Sequence, residues 1–72
     1  MGSDDLHTVE VDGVIRLGQF LKYAGVVDSG AHAREVIADG LVQVNGEVER
    51  RRGRQLTSGD QVSFQSETFT IA

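Results

Sequence analysis

Four guanidinium groups fall within five positions, at Arg50, Arg51, Arg52 and Arg54. Guanidinium is planar, always charged and able to donate two parallel hydrogen bonds, which suits carboxylates and phosphates. The remaining basic side chains are Arg16, Lys22 and Arg34. An arginine run can be a solvated surface feature, or it can be the grip on a phosphate-bearing polymer. Other chemistries find no constellation here. His7 and His32 lie twenty-five positions apart with no carboxylate at metal-ligand spacing, and there is no cysteine. Neither a zinc site nor a catalytic triad is visible. The nine glycines stand at element ends and turns, not in a phosphate-cradling loop before a helix. The expectation is a protein without catalytic residues, metal, cofactor or small-molecule substrate.

The overall balance of seven basic against eleven acidic side chains, net −4, hides an uneven distribution. Asp4, Asp5, Glu10 and Asp12 make residues 1–12 an acidic leader, with Thr8–Val11 alternating well enough for an edge strand. Residues 13–72 are neutral, and within 16–54 seven basic side chains face five acidic ones. So a neutral body carries one concentrated cationic spot. Seventy-two residues suffice for one small domain, here residues 13–72 behind the leader. Without disulfides, its stability must come from an apolar core. No apolar run approaches the roughly 20 residues of a membrane span, and no basic-then-apolar signal pattern opens the chain. These features lead to the expectation of a cytoplasmic protein with no membrane partner.

The cationic spot must be positioned by its neighbours. Leu17, Phe20, Leu21 and Ala24 form the stripe of a short helix over Arg16–Ala24, ended by Gly25 with Val26 set to touch Leu21. Ser29 is the better N-cap of a second helix, whose stripe is Ala33, Val36 and Ile37. Gly40 repeats the stop, and Leu41 is placed to pack back on Val36. The period then changes to two. Leu41–Val44 reads as a strand, Asn45-Gly46 as a turn and Val48 as the return. A loop one residue longer than the tight turn is expected, because it keeps Val42, Val44 and Val48 on one face. Arg50–Arg54 would be an exposed bend and Gln55–Thr57 a short extended piece. After a Ser58-Gly59-Asp60 turn, Gln61–Phe64 and Thr68–Ile71 alternate, with Val62, Phe64, Phe69 and Ile71 facing inward. The fold class is therefore α+β, two packed short helices followed by a small antiparallel sheet.

Two helices joined by a short glycine-containing turn also fit a helix-turn-helix DNA reader. Its second helix would offer Ser29-Gly30-Ala31-His32-Ala33 with Glu35 and Asp39, a poor set of base readers. No Gly-x-x-Gly clamp or aromatic-basic RNA-recognition signature is present. Tyr23, on the flank of the first helix, could stack a base or pack its ring on neighbours.

The run from Ile15 to Phe64 resembles the RNA-binding domain first named from ribosomal small-subunit protein four. The resemblance rests on Arg16-Leu17, Leu21, Gly25, Ser29, Ala33, Val36-Ile37 and Gly40, then Val42-x-Val44-Asn45-Gly46 and Gly59-Asp60-x-Val62. It looks closest to the stand-alone bacterial YbcJ-like members. It implies the alpha-L motif, in which two helices and the following hairpin form a surface for structured RNA, often ribosomal. On that resemblance the expected RNA-binding residues are Arg16, Lys22, Arg34, Arg50, Arg51, Arg52 and Arg54. A protein-interaction module within a ribonucleoprotein is the alternative. The family often carries a basic residue directly after the helix-two serine, where this chain has Gly30. The arginine loop must then supply more of the grip.

Overall fold

The computed structural model describes residues 6–11 and 13–72, arranged as two helices against a sheet. In chain order the elements are β1 (Leu6–Val9), β2 (Ile15–Arg16), α1 (Leu17–Tyr23), α2 (Gly30–Ala38), β3 (Val42–Val44), β4 (Glu47–Val48), β5 (Gln55–Leu56), β6 (Gln61–Phe64) and β7 (Glu67–Ile71). The fold is the expected α+β arrangement. Asp4 and Asp5 of the acidic leader, like Asp12, lie outside the described residues.

Both helices end as their glycines dictate. Gly25 and Gly40 take φ +77, a left-handed conformation that costs an L side chain energy. Val26 N–H then donates to Leu21 O at 3.2 Å, and Leu41 N–H to Val36 O at 3.1 Å. With the bonds from Gly25 to Lys22 and from Gly40 to Ile37, each end is a Schellman closure. Ser29 Oγ accepts from His32 N–H at 3.1 Å, so it caps α2 as expected. Leu17, Phe20 and Leu21 of α1 and Ala33, Val36 and Ile37 of α2 are buried together. Leu41, which follows the Gly40 stop, is 55% exposed.

The main sheet runs β1-β7-β6-β3-β4. Its inner face carries Val42, Val44, Val62, Phe64, Phe69 and Ile71, all buried against the helices. Phe20 meets Phe69 edge to face, with centroids 5.8 Å apart. Adjacent pairs are antiparallel except β1 with β7, which is parallel, Val9 lying beside Ile71. The expected edge strand is thus present but begins two residues earlier than Thr8 and stops at Val9.

The β3–β4 hairpin corrects the expected longer loop. Val44 pairs with Glu47 and Gln43 with Val48, the register of a strict two-residue turn. Asn45 (φ +54) and Gly46 (φ +86) supply the left-handed pair such a turn needs. Val48 consequently points to the outer face and is 49% exposed. Local turn chemistry outweighed the burial of one valine, and the Asn45 side chain strengthens the turn further. It donates to Asp60 Oδ1 at 3.1 Å and accepts from Gln61 N–H at 2.9 Å, tying the hairpin to the Ser58-Gly59-Asp60 turn. Asp60 also accepts from Thr57 N–H at 2.9 Å. That backbone bond, followed by the Asn45 bond, holds its carboxyl below the usual range.

Candidate nucleic-acid interface

The arginine loop is docked by backbone at both ends. Behind it, Glu49 N–H donates to Val42 O at 3.0 Å. Ahead of it, β5 pairs antiparallel with β2, setting Arg16 opposite Gln55. Because β2 leads directly into α1, the loop lies on the start of that helix. There the first N–H groups have no partner within the helix. Leu17 N–H donates to Arg54 O at 2.8 Å and Gly18 N–H to Arg52 O at 2.9 Å. The loop carbonyls therefore complete α1, and a side chain on Gly18 would touch the Arg52 backbone and stem. Gln19 Oε1 accepts from Arg16 N–H at 3.1 Å, adding a local lock.

A buried carboxylate organises the loop from inside. Glu49 is only 8% exposed and accepts four hydrogen bonds. Arg51 holds it with Nε at 2.9 Å, Nη2 at 3.2 Å and its own backbone N–H at 3.1 Å. Arg54 Nη1 adds the fourth bond at 3.0 Å. The Arg51 and then the Arg54 side-chain bonds pull the Glu49 carboxyl from 4.5 to about 2 against the opposing effect of burial. In return Glu49 holds the Arg51 guanidinium above its ordinary value.

This knot divides the seven expected residues. Arg51 and Arg54 are engaged inside the loop, although most of the Arg51 side chain remains exposed. Arg16, Lys22 and Arg52 converge on a cleft of about 650 Å³ between α1, the first turn of α2 and the loop. Gly18, Gly30 and Gly53 also line it, and the Arg16 guanidinium lies over Gly53. Arg34, exposed on α2, follows Gly30 by one turn on the same side of the helix. Arg50 is apart from the cleft. Its guanidinium sits over Gly40 at the C-terminal end of α2, where carbonyl dipoles favour a cation. None of Arg16, Lys22, Arg34, Arg50 or Arg52 forms an ion pair among the described residues. Such a set can pair with phosphates without first breaking an internal bridge.

One participant is not legible in the sequence, and a second is legible only in part. In the sequence Glu49 is one more charge in a polar segment. Its position one residue beyond Val48 and two before Arg51 signals burial only once the tight hairpin register is known. Tyr23 was visible, but not its orientation. Tyr23 borders the cleft and is 63% exposed as a residue, while its hydroxyl donates to Glu10 O at 3.2 Å. No group of His, Asp and Glu suited to a metal ion occurs among the described residues. Nor is any helix there long and apolar enough to cross a membrane.

Residues 7–72 match the family described as the S4 domain. Among curated proteins, the "Probable ribosome maturation protein RlbA" of Bacillus subtilis is 46% identical over 52 residues, covering 72% of this chain and 73% of that one. The "Putative RNA-binding protein YbcJ" of Escherichia coli is 37% identical over 57 residues, covering 79% and 81%. The solution structure of YbcJ, described as having an alpha-L motif involved in RNA binding, superposes with a TM-score of 0.67 at 30% identity. That match covers all of this chain and 91% of YbcJ.

Proposed function

This chain belongs to the S4 domain family, and from that premise we propose that it is a non-catalytic module gripping structured, ribosomal RNA in the cytoplasm. The observation that carries the reading is the convergence of Arg16, Lys22 and Arg52 on one cleft, none of them in an ion pair among the described residues. Arg34 and Arg50 extend the cationic footprint along α2. The mechanism is phosphate pairing by a surface already in place. The loop carbonyls are bound to α1, and Glu49 fixes Arg51 and Arg54, so little loop entropy remains to be lost on binding. Arg51 and Arg54 contact RNA less than they shape the loop. Neutral overall, the body of the protein attracts RNA only at this face, which favours site-specific over general binding. The ribosomal assignment draws on the named role of RlbA, and the RNA-binding one on the name of YbcJ.

The test is binding to structured ribosomal RNA fragments, matched duplex DNA and intact ribosomal subunits across a salt series. Lys22→Ala with Arg52→Ala should weaken RNA binding and flatten the log-affinity against log-salt slope by roughly 0.7–0.9 for each lost contact. Arg51→Ala should flatten it less. Unchanged affinity in the double variant would remove the cleft from the interface and favour a protein partner.

A further inference from the structure

We propose that the cleft receives one unpaired nucleotide of the bound RNA, its base stacked on Tyr23 and its phosphates met by Arg52, Lys22 and Arg16. This deepens the RNA-binding reading and rests on it. The chain has three phenylalanines, one tyrosine and no tryptophan. All three phenylalanines are buried, and the other exposed aromatic ring among the described residues, His32, does not line the cleft, so Tyr23 is the aromatic side chain the cleft offers to a base. It is also oriented in advance. The hydroxyl bond to Glu10 O fixes the far end of the ring while leaving the residue 63% exposed. A platform already ordered by the fold loses little freedom when something stacks on it.

The shape of the cleft selects what stacks. Glycines at positions 18, 30 and 53 contribute no side chain to its walls, and about 650 Å³ stays open amid three cations. A regular RNA helix presents its backbone outward and keeps its bases stacked inside, offering nothing to an aromatic ring at the edge of a cleft. A bulged or looped-out nucleotide projects both a base face and two flanking phosphates. The cleft matches that pair of features with an aromatic on one border and guanidinium and ammonium groups on the others. Arg52 is the best placed of these, because its carbonyl accepts from Gly18 N–H and its stem lies within contact distance of a side chain built at Gly18.

Because Tyr23 is the only tyrosine and no tryptophan is present, intrinsic emission reports on this one ring. The experiment titrates the protein with a hairpin carrying a single bulged purine, and with the same stem fully paired. Affinity and tyrosine emission are followed together for the native chain, Tyr23→Leu and Tyr23→Phe. The native protein should prefer the bulged hairpin by at least about fivefold, and its emission should be quenched at saturation. Tyr23→Leu should bind both hairpins as the native protein binds the paired one, whereas Tyr23→Phe keeps most of the preference. Equal affinity for the two hairpins with unquenched emission, but with salt-dependent binding intact, would overturn the nucleotide pocket and leave the RNA-binding reading standing. Binding to neither hairpin, nor to ribosomal RNA, would overturn both. Should Tyr23→Leu prove misfolded by circular dichroism, quenching in the native chain alone decides the matter.

Discussion

Replacing Glu49 by Gln removes one charge and almost no volume, and the structure sets the size of the effect. The Glu49 carboxyl falls from 4.5 to about 2 in the folded protein. At roughly 1.4 kcal/mol per pKa unit this corresponds to a ceiling of about 3 kcal/mol. Most of the Arg51 side chain faces solvent, however, at 76% exposure, which screens the stronger of the two partners. An effect of about 2 kcal/mol at neutral pH is therefore expected for Glu49→Gln. The sign follows from the depressed pKa. The stabilisation is complete above the unfolded value of 4.5 and is lost as pH falls through the folded value of about 2. Urea unfolding of both proteins, followed by circular dichroism from pH 7 down to about pH 2, should show a gap that narrows below about pH 4.5. At the acid end, at about its folded pKa, the native carboxyl is roughly half protonated and most of the gap should be gone. Asp60 also titrates low, but it is present in both proteins and cancels in the difference. A gap absent at neutral pH would refute the ion-pair energetics. An undiminished gap at about pH 2 would show that shape, not charge, carries the effect.

Two further substitutions test the local readings. Ser29→Ala removes the oxygen that caps α2 and should cost about 1 kcal/mol in urea unfolding while leaving the salt slope of RNA binding unchanged. If stability held but RNA binding fell, Ser29 would be a ligand contact. Val48→Thr should change stability by less than about 0.5 kcal/mol, because the tight hairpin register places Val48 outside. A loss of about 1–3 kcal/mol, as expected for burying a hydroxyl, would restore the longer loop.

Much of this protein is local in origin and therefore legible in its residues. The helix stripes, the Ser29 cap and the glycine stops at Gly25 and Gly40 are set within a turn or two of chain. Short-range sterics and hydrogen bonding decide them wherever the element lies. The alternation in Gln61–Phe64 and Thr68–Ile71 is equally local, and so is the concentration of cations at positions 50–54. The hairpin shows the limit even of local reasoning. Keeping Val48 with Val42 and Val44 was a global argument from burial, and the left-handed preferences of Asn45 and Gly46 overrode it. What only the tertiary structure decided is which cations are free. Arg51 and Arg52 are neighbours in sequence and identical in chemistry, yet one is tied to Glu49 and the other borders the cleft. Arg16 and Lys22 come from α1 and the residue before it, but they join Arg52 because β2 pairs with β5 and α1 borrows the loop's carbonyls. Those partners lie more than thirty positions apart. A charge is written in the sequence. Its counter-ion depends on which segments the fold brings within a few ångströms, and no local pattern encodes that distance.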